Sequence, residues 1–107
     1  GDVYKRQVCE LTLVPIGTET TSVSKYVAGA LDSIADMKNI TFALNPMGTV
    51  IEAPDLDTMY EAIKRMQESV FLNGANRVYS VVKIDDRRDK ERSFMEKIDS
   101  VESKRKK

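Results

Sequence analysis

Two short stretches of the sequence place polar and charged groups at the ends of segments that otherwise look like buried strands. They are Asn45-Pro46-Met47-Gly48-Thr49 and Lys83-Ile84-Asp85-Asp86-Arg87-Arg88. A rigid strand that ends in amide, hydroxyl and charged groups can present those groups to a small ligand, since functional residues concentrate where a scaffold passes into a loop. These stretches are therefore the first candidate binding residues.

A third stretch, Gly17-Thr18-Glu19-Thr20-Thr21-Ser22, is rich in hydroxyl groups and joins a predicted strand to a predicted helix. A helix N-terminus favours anions, and the hydroxyls could hold a polar ligand. The stretch lacks the glycine spacing and the lysine of a phosphate-binding loop, so nucleoside triphosphate binding is not supported. The simpler interpretation is that Ser22 caps the helix and the rest is loop.

The residue types give little support for catalysis or for a metal. The sequence has no His, and its single Cys, Cys9, alternates with buried Leu positions and so is predicted to be a core thiol. Asp85 and Asp86 are adjacent carboxylates without further oxygen ligands, which is a weak metal signal. The run from Asp85 to Lys90 is most simply a solvated, salt-bridged turn. We predict no catalytic residue, no metal and no cofactor.

The composition excludes several classes of protein. A chain of 107 residues with 41% apolar residues forms one modest core. Its 17 basic and 17 acidic residues argue against a nucleic-acid binder, which usually shows a basic excess. No apolar run is long enough to span a bilayer, and no secretory segment is evident. We expect a cytoplasmic protein with no membrane partner.

The sequence predicts one domain with short additions at each end. Residues 1–7 contain Asp2-Val3-Tyr4-Lys5-Arg6-Gln7, which a common sequencing transposon adapter encodes when it is read in frame, so we expect a non-native leader. Residues 8–103 are the predicted domain, and residues 104–107 are a basic tail.

Hydrophobic periodicity predicts the elements within that domain. Period-two runs indicate strands, and apolar residues at spacings of three and four indicate helices. Met47-Gly48 is the expected hairpin loop, with Gly48 at positive φ and Asn45 opposite Val50. The predicted strands are Val8–Ile16, Ile40–Pro46, Thr49–Ala53 and Asn76–Asp85. The first predicted helix is 22–37, stopped by Lys38-Asn39; the second is opened by Pro54-Asp55 and closed by Asn73-Gly74; a C-terminal amphipathic helix carrying Phe94, Ile98 and Val101 follows.

This order predicts an α+β fold, a ferredoxin-like βαββαβ sandwich with a four-stranded antiparallel sheet and both helices on one face. The opposite face is too apolar to be solvated, so either the terminal helix or a second subunit covers it. We favour a homo-oligomer. Alternation places on that face Glu10, Thr12, Val14, Ala43, Asn45, Val50, Glu52, Tyr79, Val81 and Lys83.

Taken together, the motifs resemble the thiamine-binding (YkoF-related) protein family. The resemblance spans residues 8–103 and is carried by Val14-Pro15-Ile16-Gly17-Thr18, Ser22-Val23-Ser24-Lys25-Tyr26-Val27, Asn45-Pro46-Met47-Gly48-Thr49-Val50-Ile51-Glu52 and Lys83-Ile84-Asp85-Asp86-Arg87-Arg88-Asp89-Lys90. It implies a ferredoxin-like protein, a dimer or a dimer of dimers, that binds thiamine or its hydroxymethylpyrimidine moiety without chemistry. The implied role is vitamin sequestration, delivery or sensing.

The resemblance also implies ligand-binding residues. Ser22 and Ser24 match the helix-entry motif, and Lys83 and Asp85 match the last-strand motif. Asn45, Met47 and Thr49 match the hairpin motif, although many relatives carry Thr where this chain has Asn45. Hydroxyls and the Asn45 amide suit an aminopyrimidine, whereas Lys83 would repel a thiazolium cation and is assigned to the hydroxyl or phosphate end, or to structure.

Two alternatives and several details stay open. The chain could be a structural or regulatory oligomeric domain without a vitamin ligand, or an enzyme acting on a phosphorylated small molecule through Lys83, Asp85 and Arg87. The sequence does not separate thiamine from its pyrimidine fragment or a phosphate ester, nor a dimer from a tetramer. It also does not place the C-terminal helix.

Overall fold

A computed structural model of the chain describes residues 7–89, 101, 104 and 105. The elements run β1 Gln7–Ile16, α1 Ser24–Ile34, β2 Thr41–Asn45, β3 Gly48–Ala53, α2 Leu56–Leu72 and β4 Arg77–Asp86. The predicted βαββαβ order and ferredoxin-like α+β class are thus confirmed. The predicted C-terminal helix lies mostly outside the described residues.

The four strands form one antiparallel sheet in the order β2-β3-β1-β4. β1 is therefore central, and its pairing is unequal on its two sides. All ten of its residues pair with β4, from Gln7 opposite Asp86 to Ile16 opposite Arg77. Its pairing with β3 runs only from Gln7 to Leu11, which lies opposite Thr49. Among the described residues, no strand consequently pairs with the second half of β1 on the β3 side.

One face of the sheet buries its side chains beneath the two helices. Cys9, Leu11 and Ile51 project from it and are almost fully buried, as period-two alternation predicts. Met59 and Met66 of α2 fill the space above them. Burying one such side chain stabilises the fold by about 1.5–3 kcal/mol, so this layer fixes which face the helices cover.

The predicted bounds of α2 are confirmed. Asp55 caps its start, and its side chain accepts a hydrogen bond of 2.7 Å from the Thr58 N–H. Gly74 follows the helix with φ of +106°, the left-handed region in which glycine is favoured.

The predicted bounds of α1 are wrong at both ends. The helix begins at Ser24, and Val23 rather than Ser22 occupies the cap position, without a side-chain cap. The hydroxyls of the preceding loop bond within the loop instead, since Thr20 Oγ1 accepts from the Ser22 N–H at 3.1 Å. The helix ends at Ile34, where i→i+3 bonds such as Met37 N–H to the Ile34 carbonyl tighten the last turn.

The hairpin between β2 and β3 also differs from the prediction. Its loop is Pro46-Met47, so Asn45 lies opposite Gly48 and not opposite Val50. Asn45 Oδ1 accepts a 2.8 Å hydrogen bond from the Met47 N–H, which forms a local side-chain turn around Pro46. Gly48 does not have a positive φ. Because Gly48 has no side chain, its backbone can lie close to the backbone of Leu11. A Cβ at this position would lie 2.7 Å from the Leu11 carbonyl oxygen.

The other face of the sheet carries the predicted residues and is partly exposed. Val14 and Tyr79 lie opposite each other there, and Tyr79 is 58% exposed. Glu52 lies on the same face but is only 5% exposed, and its Oε2 atom has no hydrogen-bond partner in the part of the chain that the structure describes. Cover by a second subunit stays a prediction. None of the helices within the described residues is long and apolar enough to cross a membrane.

Candidate ligand pocket

A cavity of about 260 Å³ opens beside the second half of β1, at the point where β1 no longer pairs with β3. The hairpin turn forms one wall, β1 forms another, and the two helices close the inner end. Its lining residues are Leu11, Thr12, Leu13, Val14, Val23, Tyr26, Val27, Ala30, Leu44, Asn45, Pro46, Met47, Gly48, Thr49, Met66 and Val70.

The local structure explains why a pocket forms here. Gly48 allows β3 to begin in close contact with Leu11. Among the described residues, no strand pairs with β1 beyond Leu11 on that side, because β2 lies on the far side of β3. The Thr12 hydroxyl donates a 3.0 Å hydrogen bond to the Met47 carbonyl oxygen and holds the turn beside β1. Tyr26 of α1 packs with Val70 of α2 and closes the inner end.

The chemistry of the walls is mostly apolar with a few polar groups. Aliphatic side chains and the Tyr26 ring supply the apolar surface, while Thr12, Thr49 and Asn45 supply hydroxyl and amide groups. Among the described residues, no carboxylate, ammonium or guanidinium group lines the cavity. Lys25 lies just outside, with Nζ 5.1 Å from the centroid of the Tyr26 ring. Such a site suits an uncharged ring that makes a few placed hydrogen bonds.

Two of the polar groups have capacity for a ligand. The Thr49 hydroxyl makes no hydrogen bond within the described part of the chain, although the residue is only 5% exposed. The side-chain oxygen Oδ1 of Asn45 accepts a hydrogen bond from the Met47 N–H. The side-chain N–H groups of Asn45 make no hydrogen bond to any described residue. Neither group is among the fully buried polar atoms that lack a partner in the described part of the chain, so both can bond water or a ligand in the pocket.

The structure brings the three predicted hairpin residues together in the pocket. Asn45 and Thr49 line its wall, and Met47 lies exposed at its mouth. Their role in ligand binding stays a prediction.

The other predicted residues lie elsewhere. Ser22 and Ser24 are exposed and flank the lining residue Val23 without lining the cavity themselves. Lys83 and Asp85 lie on β4, on the outer face of the sheet, opposite Glu10 and Val8. The structure therefore does not bring these four side chains to this pocket within one chain.

Sequence reasoning missed Thr12 and Tyr26 as lining residues. Alternation correctly predicts that Thr12 lies on the outer face of the sheet. Its hydrogen bond to the turn could not be predicted, because that contact depends on the residue at which β3 begins. Tyr26 lies four residues before Ala30, on the same buried face of α1. This helical spacing was the feature of the sequence that could have predicted that Tyr26 faces the pocket.

Cys9 takes no part in the pocket. It is buried in the core, and burial raises the pKa of its thiol to about 11, with a smaller raising effect from Glu10 and a lowering effect from a backbone hydrogen bond at Lys83. At neutral pH it is a thiol and a poor nucleophile. The described residues contain no cluster of three or more Cys, Asp or Glu side chains suited to a metal ion.

The charged end of β4 is an exposed set of ion pairs. Arg88 contacts Asp86 at 2.8 Å and Arg87 contacts Asp89 at 2.7 Å, in agreement with the predicted salt-bridged turn. Hydrogen bonds to these carboxylates raise the pKa of both guanidinium groups. Gln7 Nε2 also donates to Asp86 Oδ1 at 2.6 Å and links this end to β1.

Comparison with known proteins gives a consistent result. The model of the family described as "Thiamine-binding protein" matches residues 9–102. A UPF0045 protein of Methanothermobacter thermautotrophicus is 45% identical over 95 residues, which cover 89% of this chain and 95% of that protein. The UPF0045 protein YqgV of Bacillus subtilis is 40% identical over 97 residues, covering 88% and 92%.

Solved structures show the same fold. A hypothetical protein of Methanocaldococcus jannaschii is 38% identical, has a TM-score of 0.77, and covers 90% of this chain and 96% of its own. A Thermotoga maritima protein, named as a candidate thiamine biosynthesis/salvage protein, has a TM-score of 0.70 at 16% identity, covering 89% and 97%. The second likeness concerns the fold alone.

The fold and the cavity define a small ferredoxin-like α+β domain with a mostly apolar pocket between its sheet and its helices. The chain belongs to the thiamine-binding protein family.

Proposed function

We propose that this protein binds thiamine or its hydroxymethylpyrimidine moiety without catalysis, as a cytoplasmic homo-oligomer that sequesters, delivers or senses the vitamin. The observation that carries the proposal is the uncharged pocket with donors at Thr49 and Asn45, in a chain of this family. An aminopyrimidine is a planar, neutral ring with ring nitrogens that accept hydrogen bonds, which matches these donors.

The size of the pocket favours the pyrimidine part as the buried portion. A volume of about 260 Å³ lies just below the usual range of sites for drug-sized ligands, roughly 300–1,000 Å³. A single heterocycle fits within such a space, and the thiazolium of thiamine would extend past Met47 into the mouth. The absence of a lining cation among the described residues argues against a phosphate group at the inner end.

The outer face of the sheet supports the oligomer. Tyr79 and Val14 form an exposed apolar pair on the face that no described helix covers. Packing of two such faces against each other would bury this pair and would bring Lys83 and Asp85 to the seam. In that arrangement these two residues serve assembly or a ligand group that leaves the pocket.

Calorimetry tests the ligand. Titration with hydroxymethylpyrimidine, thiamine and thiamine monophosphate should show saturable binding of the first two, with one site per protomer. Thr49→Val and Asn45→Ala should each weaken binding about tenfold, since a lost hydrogen bond of this kind costs roughly 1–1.5 kcal/mol. Ser33→Ala is the matched control, because the Ser33 hydroxyl bonds the Ala30 carbonyl oxygen on α1 and does not line the pocket. Absence of heat at millimolar ligand would end the proposal.

The second candidate is a structural or regulatory oligomeric domain without a vitamin ligand. The exposed apolar residues of the outer face favour it, because they serve assembly whether or not a ligand binds. In that case the melting temperature would rise with protein concentration and would not respond to any of the three ligands.

A further inference from the structure

The main chain of β1 points its groups alternately towards its two neighbours, and two observations show which residues point towards β3. In an antiparallel sheet the N–H and C=O of one residue face the same neighbouring strand, and the next residue faces the other. The Leu11 carbonyl oxygen faces β3, because it lies 2.7 Å from the place that a Cβ of Gly48 would take. Pro15 pairs with β4 but has no N–H to donate, so its main chain also faces away from β4. Residue 13, which lies between them with the same parity, therefore faces the β3 side as well.

Leu13 is the residue whose main chain loses its partner on that side. Continuing the β1–β3 register past its last pair would place Leu13 opposite Met47. Both main-chain groups of Met47 are used by side chains instead: its N–H donates to Asn45 Oδ1 at 2.8 Å, and its carbonyl oxygen accepts from the Thr12 hydroxyl at 3.0 Å. The N–H and C=O of Leu13 consequently have no partner on the β3 side among the described residues.

These two main-chain groups of Leu13 face the candidate pocket. Leu13 lines the cavity that opens between β1 and the hairpin turn. Its side chain packs against the core beneath the helices, whereas strand N–H and C=O groups lie in the plane of the sheet. The main chain is thus the part of Leu13 that points across the gap. It offers the pocket one donor and one acceptor side by side.

A donor beside an acceptor is complementary to one edge of an aminopyrimidine. On that edge a ring nitrogen accepts a hydrogen bond and the neighbouring exocyclic amine donates one. The Leu13 C=O supplies an acceptor for the amine, whereas the Asn45 Oδ1 atom already accepts from the Met47 N–H. The ring would extend the ladder of β1 by one rung, in the way that an added strand pairs with a sheet edge.

We propose that the main chain of Leu13 determines the specificity of the pocket, with its N–H donating to a ring nitrogen and its C=O accepting from the amine beside it. This inference rests on the proposed function, because it names the groups that read the ring. It sets the ligand class as six-membered heteroaromatic rings that carry an amine next to a ring nitrogen. A ring without that amine loses one hydrogen bond and should bind about tenfold more weakly.

Amide hydrogen exchange measured by NMR tests the geometry without a ligand. In the free protein the Leu13 N–H should exchange at least tenfold faster than the N–H groups of Leu11, Thr12 and Val14, whose partners lie on β3 or β4. Saturating hydroxymethylpyrimidine should slow it to the rate of Leu11. A Leu13 N–H that is as protected as that of Leu11 in the free protein overturns the proposal.

A backbone substitution tests the contact itself. Replacing Leu13 by its α-hydroxy acid puts an ester oxygen in place of the N–H and keeps the side chain. The matching ligand is the aminopyridine that has C–H in place of the ring nitrogen beside the amine. The wild type should bind the pyrimidine about tenfold more tightly than this pyridine, and the ester protein should bind both equally, because two groups in contact give a non-additive cycle.

The same replacement at Val14 is the matched control. The Val14 N–H faces β4, so its loss weakens the sheet without removing a donor from the pocket. The change also makes the Leu13 carbonyl a weaker ester acceptor, which lowers the affinity for both ligands alike. The tenfold preference for the pyrimidine should therefore remain in this protein.

The outcomes separate this inference from the proposed function. If the wild type binds neither ring, both proposals fail. If the wild type binds the pyrimidine and the tenfold preference persists in the Leu13 ester protein, pyrimidine binding stands and the role of Leu13 is overturned. Equal binding of both rings by the wild type overturns it in the same way.

Discussion

The Thr12 hydroxyl donates a hydrogen bond of 3.0 Å to the main-chain carbonyl oxygen of Met47. Thr12 belongs to the part of β1 that β3 no longer accompanies, and Met47 belongs to the hairpin turn. This bond spans the gap in which the pocket lies. It therefore sets the distance between the two walls.

Thr12→Val removes that hydrogen bond while preserving the shape of the side chain. We expect the free energy of unfolding to fall by about 1 kcal/mol, since a typical hydrogen bond contributes about that much. We also expect weaker binding of hydroxymethylpyrimidine, because the turn is less well held. Urea denaturation and calorimetry measure the two effects. Thr12→Ser keeps the donor and should retain most of the affinity; equal binding by all three proteins would contradict this role.

Gly48→Ala should damage both the fold and the pocket. Its Cβ would lie 2.7 Å from the Leu11 carbonyl oxygen, which is backbone of the central strand and cannot move aside cheaply. We expect a loss of about 1–3 kcal/mol in stability and a marked loss of ligand affinity. Thermal unfolding and calorimetry measure the two losses.

Gly74→Ala is the matched control for that glycine. Its φ of +106° makes a side chain costly, while no atom lies within 4 Å of the added Cβ. It should lower stability by about 1 kcal/mol or more and leave affinity unchanged, because Gly74 lies outside the pocket lining. If the Gly74→Ala and Gly48→Ala proteins lost ligand affinity equally, the loss in Gly48→Ala would be explained by reduced stability of the fold and not by a change in the pocket.

The buried thiol predicts a loss of stability in alkali. Folding raises the pKa of Cys9 from 9.0 to about 11, so the folded state prefers the protonated thiol. The stabilisation is complete below about pH 9 and is lost as the pH rises to about 11. Urea denaturation from pH 8 to pH 11 should show a steeper decline for the wild type than for Cys9→Ala. Parallel declines in the two proteins would rule out this thiol as the cause.

Arg65 links α2 to the segment after α1 through exposed ion pairs. It contacts Asp36 at 3.0 Å and Glu61 at 3.1 Å. Exposed pairs contribute little, so Arg65→Ala should cost less than about 1 kcal/mol at low salt. The cost should shrink in 1 M NaCl, because the Debye length there is only about 3 Å. A salt-independent loss would instead indicate lost packing of the arginine stem.

The order of elements was predictable because burial decides it. Alternating residues such as Cys9 and Leu11, and the apolar stripe of α2, leave one arrangement that covers both. The helix-stop glycine Gly74 was predictable for a local reason, its tolerance of positive φ.

The hairpin register was not predictable in the same way. The sequence Asn45 to Thr49 allows two two-residue loops, and glycine usually marks the loop itself. The choice depends on the contact between Gly48 and Leu11, which are far apart along the chain. A reader of the sequence alone has no access to that contact.

The lining of the pocket was only partly predictable, because some of its residues are close in sequence and others meet only in the folded chain. Asn45, Met47 and Thr49 come from one local motif, and the structure places them in one lining. Thr12 and Tyr26 join them only through the fold. Lys83 and Asp85 share the family motif but lie on another strand and face, so their role depends on a neighbouring subunit or is structural.

The position of β1 between β3 and β4 has a consequence for synthesis on the ribosome. Gln7 and Asp86 are 79 residues apart along the chain and meet at one end of the sheet. Strand β1 therefore leaves the exit tunnel long before β4, which fills its second flank. Contacts of such high sequence separation slow folding, so the native topology of this domain can close only after β4 has emerged.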